Sequence, residues 1–119
     1  MTDRAQITTP AVVAFPGEFD INNAGDLAKQ MRAAITPVVS VVIADLTTTV
    51  LCDSSGLRVI VLAYDWAKAD NVELRLAVPP GLTLVVLKLV GLDQLLPIYP
   101  SLDKALAGDP TPREDASHE

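Results

Sequence analysis

Asp53-Ser54-Ser55-Gly56-Leu57 is the stretch that decides the fold, because the residues on either side give it a place in space. Upstream, Val41, Val42 and Ile43 are β-branched neighbours followed by Asp45, the pattern of a short strand buried on both faces and ending in a polar residue. Downstream, Leu57, Ile60, Val61, Tyr64 and Ala67 follow the i, i+3, i+4 spacing of one buried helical stripe. Asp53, Ser54 and Ser55 therefore fall at a helix N-terminus. Asp and Ser side chains accept hydrogen bonds from the first free backbone N–H groups, so capping is one reading of the cluster. A switch is the other. One of the adjacent serines can cap while its neighbour turns its hydroxyl outward, where free N–H groups and the helix dipole tolerate a phosphate. Such a group adds about −1.5 to −2 charges without melting the helix.

Working outward, Ala11 to Phe15 reads as a strand, and Ala24, Leu27, Ala28, Met31 and Ile35 give a helical stripe that stops before Pro37. Val72, Leu74, Leu76 and Val78 alternate with Glu73, Arg75 and Ala77, which predicts a strand with one packed face and one at least partly wet. Pro79, Pro80 and Gly81 mark a boundary before a helix from Leu82 to Val90 that ends at Gly91. That helix is unusually apolar. Its stripe of Leu82, Val85, Val86 and Leu89 is joined by Leu84, Leu87 and Val90, so it is either buried on most sides or offers a hydrophobic patch for self-association or partner docking. The order of strands and helices indicates an α/β fold with short connections and helices mainly on one face of the sheet.

Several short stretches, in this order and spacing, resemble a STAS domain of the bacterial anti-sigma factor antagonist family. Gly17-Glu18-Phe19-Asp20 resembles the family's Gly-Glu-Leu-Asp, and Asp45-Leu46-Thr47 its Asp-Leu-Ser. Cys52-Asp53-Ser54-Ser55-Gly56-Leu57 resembles hydrophobic-Asp-Ser-Ser-Gly-Leu, and Leu89-Val90-Gly91-Leu92 with Ile98 and Ala105-Leu106 resembles the closing helix, strand and final short helix. The resemblance spans about residues 11 to 107 and implies a STAS-type mixed β-sheet, with residues 1–107 as one domain. Residues 108–119, acidic, with Pro110 and Pro112 and almost no apolar side chain, read from composition as a disordered tail. The resemblance selects Ser54 as the phosphoacceptor and implies partner contacts at Asp20, Asp53, Ser54, Ser55 and Gly56. Asp20 also reads as an N-cap for a helix beginning near Asn22 or Asn23, and Ser54 and Ser55 could exchange roles as cap and acceptor. The pattern departs from the family before Asp20, where Pro10 and Pro16 put strand pairing in doubt.

The implied function is binding. Unmodified protein would hold an anti-sigma factor serine kinase and so free a sigma factor, phosphorylation of Ser54 would end the complex, and a phosphatase acting on Ser54 would restore it. A homodimer is a further option. The runner-up from the same resemblance is a STAS structural subunit of a lipid or anion transport system, or a scaffold in a stress-signalling assembly.

Composition agrees with one small domain. Of 119 residues, 50% are hydrophobic, enough to bury a core without disulfides or metal. The single cysteine, Cys52, reads as a small core residue in a reducing cytoplasm, and no apolar run approaches the roughly 20 residues that span a bilayer. A net charge of −6 argues against a direct hold on nucleic acid. Catalysis fares no better. Ser54 lacks the Gly-x-Ser-x-Gly frame, the one histidine is His118 in the tail, and there is no phosphate-binding Gly-x-x-x-x-Gly-Lys loop. Asp45 lacks the acidic pair and lysine of a receiver-domain phosphoacceptor. The expectation is a non-enzyme with no metal and no cofactor of its own.

Overall fold

The strand Val41–Asp45 is the one around which the other elements assemble in the computed structural model, which describes residues 10–108. The strands are β1 (Ala11–Ala14), β2 (Glu18–Phe19), β3 (Val41–Asp45), β4 (Leu51–Cys52), β5 (Glu73–Ala77) and β6 (Ile98–Tyr99). The α-helices are α1 (Ile21–Ala34), α2 (Ser54–Ala69), α3 (Leu82–Leu89) and α4 (Leu102–Ala107), with a 3-10 turn at Leu92–Gln94. One sheet runs β1-β3-β5-β6, and β2 pairs with β4 in a separate two-residue ladder. Every pairing among the described residues is parallel, as helical crossovers between successive strands require. The expected tail lies outside the described residues, except for Gly108.

Parallel strands covered on both faces are apolar throughout, and β3 follows that rule. Val42 and Ala44 pack with Leu74 and Leu76 of β5 against Leu27 and Met31 of α1 and Ile60 of α2. Leu87 of α3 joins the same core. Ile43 and Ala77 point the other way, toward Tyr99 and Ala105, so among the described residues the second face carries only the six-residue α4. Arg75 ties that helix down: its Nη1 donates to the Ala105 carbonyl at 2.7 Å while its Nε pairs with Glu73 at 3.0 Å. The predicted one-sided arrangement of the longer helices is what the structure has.

Pro10 and Pro16 flank β1 rather than interrupt it, and Ala11–Ala14 pairs with residues 42–45 at the edge of the sheet formed by the described residues. A proline just outside a strand removes no N–H from its ladder. Asp45 ends β3 as expected, its carboxylate accepting from the Thr47 backbone N–H at 3.0 Å and from the Thr47 hydroxyl at 2.6 Å.

Two helical faces differ from expectation. On α2 the buried residues are Gly56, Val59, Ile60, Ala63 and Ala67, while Leu57 and Tyr64 are half-buried and Val61 is 40% exposed. Apolar residues occupy so much of this helix that periodicity leaves its rotation open, and packing selects the small residues that let helix and sheet approach closely. On α3 the expected stripe faces outward: Leu82 is 65% and Leu89 is 79% exposed, while Thr83 and Leu87 are buried. Thr83 can be buried because its hydroxyl donates to the Thr49 carbonyl at 3.1 Å. The deeper-burial reading of α3 is thereby overturned in favour of an exposed apolar face.

Replacing Thr83 by valine keeps the shape and strands the Thr49 carbonyl. Urea denaturation of Thr83→Val should show a loss of about 1–3 kcal/mol. An unchanged midpoint would mean that this hydrogen bond does not seat α3.

Candidate functional site

The site is built where two helix N-termini emerge side by side from the short β2–β4 ladder. Phe19 and Cys52 are register partners, so the next residue on each strand, Asp20 and Asp53, opens a helix. The ladder extends past its ends. The Gly17 carbonyl accepts from the Val50 and Leu51 N–H groups at 2.8 and 3.2 Å, and the Phe19 carbonyl from the Asp53 N–H at 3.2 Å.

Asp53 is the cap of α2. Its Oδ1 accepts from the backbone N–H of Ser55 at 2.9 Å and of Gly56 at 3.2 Å. The expectation that one of the serines caps is therefore corrected, because a carboxylate one residue earlier reaches both orphan donors. Ser54, the first residue of the helix, is exposed, and Ser55 is half-buried. Of the two hydroxyl-bearing residues, Ser54 is thus the more accessible from solution.

Asp20 caps α1, as one of its two readings predicted. Its Oδ1 accepts from the Asn22 N–H at 2.9 Å, and the Asn23 side chain answers by accepting from the Asp20 N–H at 3.0 Å. Asn23 also donates to the Glu18 carbonyl at 2.8 Å, which fixes the exit of β2 relative to α1. The five residues singled out from the sequence, Asp20, Asp53, Ser54, Ser55 and Gly56, do come together at this one end of the molecule.

Gly56 has a steric role. A Cβ built there would lie 2.9 Å from Phe19 Cδ2 and 3.0 Å from Cys52 Sγ. Phe19 is fully buried and packs edge-on against Phe15, with ring centroids 4.7 Å apart. It has little freedom to retreat.

An open groove of about 530 Å³ begins at the serines. Ser54, Ser55, Leu57, Arg58 and Val61 of α2 form one wall, and Val90, Leu92 and Leu95 form the other. Arg58, Val61, Val90 and Leu95 were not anticipated as site residues. The only signals available were that Arg58 follows Ser54 by four positions and that α3 carries more apolar residues than one buried face needs. Cys52 lies beside this end of the fold, where burial, and then the Asp53 charge, push its thiol from 9.0 up to about 11. It is a neutral packing group at neutral pH, matching the expectation for this residue.

Comparison with known proteins places the chain in a family. The STAS domain profile matches residues 2–105. The chain belongs to the STAS domain family. It is similar to the crystal structure of an anti-sigma factor antagonist from Mycobacterium paratuberculosis, with a TM-score of 0.75 and 26% identity over 83% of this chain and 84% of that one. It also shares its fold with a protein from Thermotoga maritima described as a candidate anti-sigma factor antagonist, with a TM-score of 0.69 and 24% identity over 82% of this chain and 86% of the other. No curated protein sequence matches. No helix among the described residues is long and apolar enough to cross a membrane.

Two outcomes are expected at this site. Gly56→Ala should lose about 1–3 kcal/mol in a denaturant melt, because the added methyl overpacks a rigid aromatic contact; unchanged stability would show that α2 can slide away from Phe19. The alkylation rate of Cys52 should reach half its plateau near pH 11 in the folded protein and near 9.0 in urea. Since the folded thiol holds its proton more tightly than the unfolded one, Cys52 favours the folded state below about pH 9 and loses that contribution as pH rises toward 11. Half-plateau at the same pH in both states would contradict the burial assigned to it.

Proposed function

We propose that this protein is an anti-sigma factor antagonist that works by reversible binding, with Ser54 as its phosphoacceptor. In its unmodified form it engages an anti-sigma factor serine kinase in the cytoplasm and displaces a sigma factor. Residues 1–107 serve as the binding domain and 108–119 as a tail. The observation that carries this reading is the division of labour at the start of α2: Asp53 caps the helix, and Ser54 stands exposed at the mouth of the groove. Asp20 and Asp53, Ser55 and Gly56 frame that surface, and the exposed Val85 and Leu89 of α3 extend it with apolar area suited to a partner.

The modification needs no group from this chain beyond the Ser54 hydroxyl. Its oxygen attacks the γ-phosphorus of ATP, the bond to the β–γ bridging oxygen breaks, ADP leaves, and the serine proton passes to a base on the kinase. ATP and magnesium belong to that kinase. The phosphate then opposes binding locally. A dianion brought into a closing interface beside Asp53 adds repulsion and desolvation, and about 1.4 kcal/mol is enough to lose tenfold in affinity. A phosphatase that hydrolyses the ester restores the binding form.

Calorimetric titration against the ATP-binding anti-sigma factors of the same organism tests this. Ser54→Ala should bind one of them as tightly as wild type and remain bound when ATP and magnesium are added. Ser54→Asp should bind at least tenfold more weakly, and wild type should gain one phosphate at Ser54 by peptide mass spectrometry. Equal binding by all three forms, or phosphate on Ser55, would overturn the assignment.

A further inference from the structure

We infer that Arg58 reads the modification state of Ser54, offering its guanidinium to a partner carboxylate when Ser54 is free and folding back onto the phosphate when it is not; this rests on the switch reading above. Ser54 and Arg58 are residues i and i+4 of α2, one turn apart on the same face, where Cβ atoms of such pairs stand about 5–6 Å apart. Both are exposed and both line the groove. Arg58 is the single charged side chain in that lining, and no carboxylate among the described residues forms an ion pair with it.

The neighbouring charges do not compete for it. Asp53 accepts the Ser55 and Gly56 N–H groups on Oδ1 and forms no ion pair with Arg58, and the facing wall of Val90, Leu92 and Leu95 is apolar. In the unmodified protein, then, a lone cation stands at the rim of an apolar groove in an otherwise acidic protein. That is the arrangement a partner with an acidic residue beside an aliphatic contact would fit.

Phosphate on Ser54 changes the competition. An acidic group preceding a basic one at i, i+4 is the favourable orientation on a helix. A guanidinium also meets two phosphate oxygens with a planar fork that a lysine cannot reproduce. The apolar wall keeps the pair less screened than it would be on an open surface. Phosphorylation therefore alters the docking surface twice over: it adds a dianion and withdraws the cation.

The test installs phosphoserine at position 54 during synthesis by an expanded genetic code, so that no kinase is needed, and follows the phosphorus resonance as pH is varied. A phosphoserine titrates near about pH 6. With Arg58 in place its second ionisation should fall roughly 0.1–0.4 unit below that of the Arg58→Gln form, with Arg58→Lys between the two. Identical titrations in all three forms would overturn the role assigned to Arg58. In unmodified protein, Arg58→Gln should also weaken binding to the anti-sigma partner several-fold; undiminished binding would remove the partner-facing half of the proposal. Because the phosphate is built in, an absent titration shift counts against Arg58 alone, whereas failure of every form to bind an anti-sigma factor counts against the switch itself.

Discussion

The close approach of Gly56 to Phe19 is the constraint on which the site rests. Two helices can start side by side only if the ladder beneath them, two residues long on each strand, is held from below. Phe19 does this, fully buried and edge-on to Phe15, with the first turn of α2 resting directly on its ring. Any side chain at position 56 would lift that turn. The Phe19 carbonyl would then lose the Asp53 N–H, and the cap, the serines and the groove mouth would shift together.

From that contact the rest follows in order. The parallel sheet places the N-termini of α1 and α2 at the same end of the molecule, because each helix begins after a strand running in the same direction. Each start is then closed by an aspartate, the Asp20 carboxylate taking one orphaned N–H of α1 and the Asp53 carboxylate two of α2. The Ser54 side chain is not needed for that purpose. A residue with no part in the fold, standing beside an apolar groove, is free to carry information.

Much of this was legible in the sequence, and the parts that were not share a cause. The succession of the longer strands and helices along the chain and the Asp53-Ser54-Ser55-Gly56 turn could be read because they are set by local periodicity and by residues with strong positional preferences. The rotation of α2 and α3 could not, since both helices are apolar around most of their circumference and only tertiary packing chooses a face. Thr83 runs against the local pattern in particular: a threonine inside a leucine- and valine-rich helix suggests solvent, yet it is buried with its hydroxyl donating to the Thr49 carbonyl, distant in sequence. The β2–β4 ladder was hidden for another reason. Two-residue strands have no period to detect, and this pair exists through the long-range meeting of Gly17 with Val50 and Leu51. The groove was missed with them, being the product of the two helical rotations.

Asp53, finally, has a consequence for how the molecule's state can be observed. Because the helix cap resides one residue before Ser54, the Ser54 hydroxyl can be esterified without unmaking the cap. A phosphate there would meet the positive end of the helix dipole and the Arg58 side chain, so under the proposed switch the modified form would keep the fold and resist heat or denaturant slightly better, by about 0.3–1 kcal/mol. What would separate the two forms for a partner is the surface they offer. Under the proposed switch, a cell could therefore keep both forms folded and set its response by the ratio of modifying to reversing activity rather than by unfolding one of them.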